Sequence, residues 1–164
     1  MEIPKPTREH EWLLQLTGDW KFESECSMGP NQPAMKSVGK QTTRSLGSLW
    51  TLGEMVGDGP DGQAMPSVFT LGFDPQKQRF VGTFITSCMT HLWPYDGQLD
   101  AAGKVLTLTS EGPSFANDGT FTKYHDIIEV IDSDHYLLTS EFQNSDGSWS
   151  HFMTSKYSRV NAAS

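Results

Sequence analysis

Apolar and polar residues alternate with a period of two along most of the chain, which is typical of strands that bury one face. Phe69, Leu71 and Phe73 share one face of such a segment. Short sequences rich in Gly, Asp, Asn and Pro separate the segments and indicate tight turns. The pattern predicts strands near residues 19–28, 35–46, 49–57, 65–73, 78–89, 91–99, 104–111, 120–131, 135–144 and 148–159.

A single helix is predicted before the strands, over residues 6–17. Thr7 is a suitable N-cap, acidic residues follow in the first turn, and Gly18 ends the segment. The apolar face of the helix is formed by Trp12, Leu13 and Leu16. We therefore predict an all-β single domain over residues 1–164. It combines this helix with one antiparallel up-and-down β-barrel over residues 18–160, closed so that no long edge is exposed and hollow along its axis.

The segment 80–89 departs from simple alternation because it is apolar on both faces. Phe80 and Phe84 lie on one face, and Val81, Ile85 and Met89 lie on the other. A strand that is covered on both sides of a single-layer barrel indicates a subunit contact, so we predict a homodimer through strand 80–89. The alternative is that the N-terminal helix covers this outer face.

Composition and charge narrow the possible partners. The chain has 164 residues, a formal net charge of -8 and no run of basic residues, which disfavours nucleic acid and anionic membranes. No apolar run approaches the roughly 20 residues of a membrane span, and no secretory signal is visible. Cys26 and Cys88 have no metal-type spacing and are expected to be reduced. The sequence therefore predicts a cytoplasmic protein.

Gly18-Asp19-Trp20 opens the first strand, and Arg159 lies near the end of the last one. This arrangement resembles the closure of the calycin superfamily, the lipocalin-like and fatty-acid-binding-protein-like barrels. In that arrangement a basic residue from the last strand meets the Trp of a Gly-x-Trp motif. The resemblance implies that Arg159 stacks on Trp20 and bonds nearby carbonyls.

A second resemblance extends over nearly the whole chain and rests on the order and spacing of several short motifs. They occupy residues 16–20, 53–55, 71–74, 80–84, 91–97 and 106–108, with sequences LTGDW, GEM, LGFD, FVGTF, HLWPYDG and LTL. Together they resemble the bacterial family called domain of unknown function 1579. The resemblance implies a calycin-like barrel and assigns no activity and no catalytic residues.

The densest group of chemically useful residues is the corner that contains His91, Trp93 and Tyr95. We interpret it as the mouth of a pocket; a hairpin corner packed with aromatic residues is the alternative. Residues 111–115 are expected to form a loop over the barrel mouth, either a lid or a plain connector. Charged residues inside strands are further candidates if they face inward. The predicted ligand-binding set is Arg44, Glu54, His91, Trp93, Tyr95, Tyr124, Glu141 and Trp149.

The five histidines do not show the spacing of a metal site, so we predict neither a metal nor a cofactor. Haem held by a single axial imidazole stays open, because some calycin-like barrels hold haem in that way. His151 alternates with Trp149 and Met153 and is predicted to be packed in the core.

Three hypotheses for function follow. The first is a non-catalytic binder of a small, mostly apolar molecule inside the barrel. The second is a proton-transfer enzyme, such as an isomerase, cyclase or decarboxylase, with Glu141, His125 or His91 as base and Tyr95 or Tyr124 as acid. The third is a structural or interaction barrel that acts through its dimer surface.

Overall fold

The computed structural model describes residues 1–27, 29, 31–59 and 61–161. A short helix precedes ten strands that pair in sequence order as a closed antiparallel barrel. The elements are α1 (Arg8–Leu14), β1 (Gly18–Cys26), β2 (Met35–Leu46), β3 (Trp50–Asp58), β4 (Ala64–Asp74), β5 (Arg79–Thr86), β6 (Trp93–Leu99), β7 (Val105–Pro113), β8 (Phe121–Asp132), β9 (His135–Gln143) and β10 (Trp149–Arg159).

The first and last strands complete the barrel. Trp20 pairs with Arg159 and Cys26 pairs with Met153, so β1 and β10 are antiparallel neighbours. This pairing confirms the predicted closure. All ten strands lie within a few residues of their predicted positions. The last residue of the predicted strand 19–28 lies outside the described residues.

The helix covers one end of the barrel, which we call the base. Leu13 and Leu16 are buried in the barrel core, and the Trp12 indole Nε1 donates to the carbonyl of Gly103, 2.7 Å away. Thr7 caps the helix, with its backbone N–H bonded to the His10 ring. The alternative in which the helix covers the outside of strand 80–89 is therefore wrong, because its apolar face lies against the end of the barrel.

A clasp between the two ends of the chain closes the base. The Arg159 guanidinium carbon lies 4.2 Å from the centre of the Trp20 ring, as predicted. Arg159 Nη1 donates to the Thr17 carbonyl, 2.7 Å away, and the Trp20 indole donates to the Leu16 carbonyl. Gly18 has a φ of +121°, and a Cβ there would lie 2.3 Å from Arg159 Nη1. Glycine is therefore required at this position on both grounds.

The outer face of β5 is not covered by any other described element. Phe80 and Phe84 lie on the opposite face from Val81 and Ile85, as predicted. The first pair points inward and the second outward, and 47% of Ile85 is exposed. Met89 lies beyond the end of the strand. The homodimer remains a prediction. In the described part of the chain, no helix has both the length and the apolar character of a membrane span.

A bulge in β10 overturns one prediction about facing. The register of β10 against β9 shifts between His151 and Met153. Met153 packs against the core, whereas His151 is exposed and bonds the Thr154 hydroxyl, 2.7 Å away. The prediction of a packed core histidine is wrong, because the extra residue of the bulge breaks the alternation from which it was drawn.

Candidate functional site

A hydrogen-bonded acid lies inside the barrel. Asp126 on β8 shares the inward face with Tyr124 and Ile128. Its Oδ1 accepts a hydrogen bond from the Ser140 hydroxyl of β9, 2.5 Å away, and its Oδ2 accepts one from the Tyr95 hydroxyl of β6. Side chains from three strands therefore hold one carboxyl group in a fixed orientation within a largely apolar interior.

The surroundings of this group shift its protonation. Burial raises the pKa of Asp126, and the hydrogen bonds from Ser140 and Tyr95 oppose that rise. The pKa of Tyr95 is well above its usual value, mainly through burial and then through the neighbouring Asp126 charge. Burial also raises the pKa of Tyr157 on β10. The tyrosine hydroxyls of the interior are therefore hydrogen-bond donors throughout the physiological pH range.

Part of the interior is not filled. Asp126, Phe69 and Phe84 point inward yet are only half-buried, so their accessible surface faces space within the barrel. Burial removes Asp126 from much of its hydration, although its side chain is not tightly packed. Nearer the base lies a cavity of about 30 Å³, bordered by Gln41 and Tyr157 among others. It has room for about two water molecules at most. The interior is narrower than the hollow barrel that we predicted.

The opposite end of the barrel, which we call the mouth, is aromatic. The Trp93 ring packs edge-on against Tyr124, with centroids 4.9 Å apart, and against His91, 4.7 Å apart. A Cβ at Gly112 would lie 2.2 Å from the Trp93 ring, so the absence of a side chain at Gly112 leaves room for the indole. The Trp93 Nε1 is buried and has no hydrogen-bond partner among the described residues. A buried donor without a partner is costly and is typical of a site that awaits an acceptor.

Phe115 closes the mouth. It lies in the loop between β7 and β8, and its ring contacts Tyr124, Phe142 and Phe152 at centroid distances of 5.7, 5.4 and 5.0 Å. Even so, 45% of Phe115 is exposed. The ring thus rests on the mouth without being locked into the core. The loop at the mouth is shorter than the predicted residues 111–115, because residues 111–113 belong to β7. Its role as a lid stays a prediction.

A wider hollow lies outside the barrel, beside the helix. It has a volume of about 960 Å³, is open to solvent, and is bordered by Trp12 and Gln98 among others. Among the described residues, the two buried polar side-chain atoms that lack partners are Gln41 Oε1 and Trp93 Nε1, and neither borders it. The interior is therefore the better candidate site, although its enclosed space is smaller.

The predicted site residues divide into two groups. The structure brings together His91, Trp93, Tyr95 and Tyr124, which lie at the mouth or just below it. The other four point away from the interior: Arg44, Glu54, Glu141 and Trp149. The expectation that Arg44, Glu54 or Glu141 orients a ligand inside the barrel is wrong, because each alternates with an inward neighbour on its strand.

Two of the outward residues belong to a separate cluster. The His125 ring stacks on Trp149 with centroids 3.7 Å apart, and its Nδ1 lies 2.8 Å from Glu141 Oε1. The side chains of His125 and Glu141 are 22% and 26% exposed. Tyr124 and His125 point to opposite faces, as predicted. The proposed acid–base pairing of an inward tyrosine with His125 or Glu141 therefore cannot form across the wall of the barrel.

The comparison with known families gives one match. The sequence profile described as "Protein of unknown function (DUF1579)" matches residues 5–159. The chain belongs to this family. The membership confirms the second resemblance, and it assigns no activity. The comparison with curated proteins found no significant match.

Solved structures with the same fold share little sequence with this member of the family. The crystal structure of Rv2717c from M. tuberculosis has a TM-score of 0.65 and 11% identity, and the match covers 96% of this chain and all of that one, 100%. The S-type phycobiliprotein lyase CPES from Guillardia theta has a TM-score of 0.61 and 9% identity, with 97% and 99% covered. At such identities the likeness shows the fold alone.

Sequence reasoning missed the centre of the site. Asp126, Ser140 and Gln41 were not among the predicted site residues. The signal was present for Asp126: Tyr124 was placed in the site, and alternation puts Asp126 on the same face two residues later. The same signal was present for Ser140, which lies between the inward Leu138 and Phe142 on β9. Gln41 was harder to find, because a polar residue in a strand more often faces solvent.

Proposed function

We propose that this protein binds a small, mostly apolar molecule inside the barrel, between the Asp126 carboxyl group and the aromatic mouth. The observation that carries the proposal is the inward Asp126, fixed by Tyr95 and Ser140 beside unfilled space. Ligand pockets are usually apolar with a few fixed polar groups, and this interior has that composition. The unpartnered Trp93 Nε1 supplies a second polar contact near the entrance.

Binding requires the mouth to open, because the enclosed cavity alone is too small for an organic molecule. Phe115 is the residue that would move. Its contacts are with three aromatic rings and its remaining surface is exposed, so its displacement breaks no hydrogen bond of the barrel.

The first experiment asks whether the interior is the binding site. Protein purified without added ligand is analysed by native mass spectrometry, and N-phenyl-1-naphthylamine, an uncharged fluorescent probe, is then titrated in. We expect a retained molecule or saturable binding of one probe. Met153→Trp, which fills the half-open interior, should weaken probe binding by about tenfold or more. Lys156→Trp, an outward position on the same strand, should leave it unchanged.

Circular dichroism establishes that both variants fold, and Phe69→Trp serves as a second interior variant if Met153→Trp does not. Equal probe affinity for the wild type and a folded interior variant would place any binding outside the barrel and refute the proposal. The lid is tested by rates. Phe115→Ala should speed probe association and dissociation together, whereas Val56→Ala, at an outward position of β3 that is 50% exposed, should change neither.

A proton-transfer enzyme is the second candidate, and a specific contact favours it. Asp126 and Tyr95 form a hydrogen-bonded acid and base whose pKa values are both raised by burial. Asp126 would act as the base and Tyr95 as the acid. Incubation of the protein in D₂O with the molecule that it retains on purification distinguishes catalysis from binding. Deuterium incorporation at carbon by the wild type and not by Asp126→Asn supports catalysis, and no incorporation by either supports a binder.

A further inference from the structure

The interior of the barrel holds the acidic side chain of Asp126, which no inward basic side chain of the described strands contacts. His125, the neighbouring residue on β8, points to the outer face, where its ring lies against Glu141. Among the described strand residues between the mouth and the base, Asp126 is the one charged side chain that points inward. Arg159 lies at the base, where it stacks on Trp20 and bonds backbone carbonyls. The two groups that bond Asp126, Tyr95 and Ser140, are neutral hydroxyls.

An isolated carboxylate in such a place is unfavourable. Removing a charge from water costs several kcal/mol unless an opposite charge compensates it, and neutral donors compensate only in part. The raised pKa of Asp126 reflects the same cost. A ligand that brings a positive charge to this point would therefore gain more from the site than a neutral molecule of the same shape.

A second acceptor faces the interior without a partner. Gln41 is 8% exposed, and its Oε1 has no hydrogen-bond partner in the described part of the chain, while its Nε2 donates to the Thr43 hydroxyl, 2.9 Å away. Gln41 and Tyr157 both border the cavity near the base. Ile128, the next inward residue after Asp126 on β8, also borders this cavity, so cavity and carboxyl group are neighbours. The part of the interior near the base thus presents hydrogen-bond acceptors, and a ligand that binds there must supply a hydrogen-bond donor.

The aromatic side chains that line the interior suit a ligand that has a positively charged group and an apolar body. Phe69 stacks parallel to Tyr95 at a centroid distance of 6.1 Å and contacts Phe84 at 4.5 Å. Aromatic faces attract ammonium groups as well as apolar carbon chains. An anionic head group would meet the Asp126 charge and the Gln41 oxygen, with no inward cation among the described strand residues to bind it.

We propose that the ligand class of this site is the organic amine: an apolar body with a protonated nitrogen that donates to Asp126. The inference rests on the proposed function and names its substrate class. Carboxylates of the same shape, such as short fatty acids, are excluded by the like charge of Asp126. The net charge of -8 adds a general attraction for cations that raises their encounter rate.

The test uses three six-carbon probes that differ only in the head group: hexylamine, 1-hexanol and hexanoate. Isothermal titration calorimetry measures each against the wild type, Asp126→Asn and Glu129→Gln. Glu129 is the matched control, because it is an exposed, outward acid on the same strand. We expect hexylamine to bind the wild type and Glu129→Gln at least about tenfold more tightly than hexanol, with hexanoate weakest. Asp126→Asn should bring hexylamine and hexanol within about threefold of each other.

The possible failures are distinguishable. If hexanol or hexanoate binds the wild type as tightly as hexylamine, the amine inference is overturned and the interior site stands. If Asp126→Asn keeps the full preference for hexylamine, the amine binds elsewhere and the inference is again overturned. If none of the three probes binds and no molecule is retained on purification, the proposed function itself fails. The wild-type ranking decides the question even if Asp126→Asn does not fold.

Discussion

Removal of the Arg159 side-chain charge is expected to weaken the closure of the barrel at its base. In Arg159→Met the stacking on Trp20 and the hydrogen bond to the Thr17 carbonyl are lost, while much of the apolar stem remains. The stacking contributes about 0.5–2 kcal/mol and the charged hydrogen bond about 1.5–3 kcal/mol. The further bonds to Gln15 and Ser133 are exposed and add little.

The free energy of unfolding should therefore fall by about 2–5 kcal/mol, a large share of the roughly 5–15 kcal/mol typical of a domain. Urea unfolding followed by tryptophan fluorescence and circular dichroism measures it. Arg159→Lys should recover part of the lost stability, because the lysine ammonium keeps the positive charge but lacks the planar guanidinium group that stacks on the indole. Arg44→Met, an exposed arginine on the outer face, is the control and should change stability by less than about 0.5 kcal/mol. Equal losses in Arg159→Met and Arg44→Met would refute the role of the clasp.

Three further predictions concern single positions. Gly18→Ala should cost about 1–3 kcal/mol of stability, more than Gly47→Ala, where a positive φ is the sole obstacle and a Cβ would meet open space; equal losses would contradict the close approach of Arg159. The raised pKa of Asp126 means that its folded form binds a proton more readily than the unfolded chain, so its contribution to stability falls as pH rises from its ordinary pKa to the raised one. The free energy of unfolding of Asp126→Asn, relative to the wild type, should therefore increase between about pH 3 and pH 7 in urea titrations, and a constant difference would show that Asp126 is not desolvated. If the outer face of β5 forms a homodimer, sedimentation should show a dimer for the wild type and a monomer for Ile85→Lys, whereas a monomeric wild type would disprove the dimer.

The architecture could be predicted because the information for it is local. Alternation, turn residues and the capping sequence at Thr7 each act over a few residues, so helix and strands fell close to their observed positions. Closure was predictable from Gly18, Trp20 and Arg159, because this clasp needs specific residue types at fixed places. The prediction for His151 failed because a bulge leaves no signature in the alternation itself.

The candidate site was only half predictable for a different reason. A charged residue in a strand is usually solvated, and sequence alone does not say which charges are exceptions. Arg44, Glu54 and Glu141 were expected to face inward if they were functional, whereas Asp126 is the residue that does. Whether a charged side chain points inward depends on which face of its strand the barrel encloses. For Asp126, the apolar neighbours on β8 reveal that face.

The pairing of β1 with β10 determines when this protein is able to fold during its synthesis. Thr17 and Arg159, which meet in the clasp, are 142 residues apart, so the sheet stays open at two edges until the final strand has left the ribosome. Such distant contacts make folding slow, and unpaired edges invite association with other chains. Nascent chains that stall before β10 should therefore be the form most dependent on chaperones.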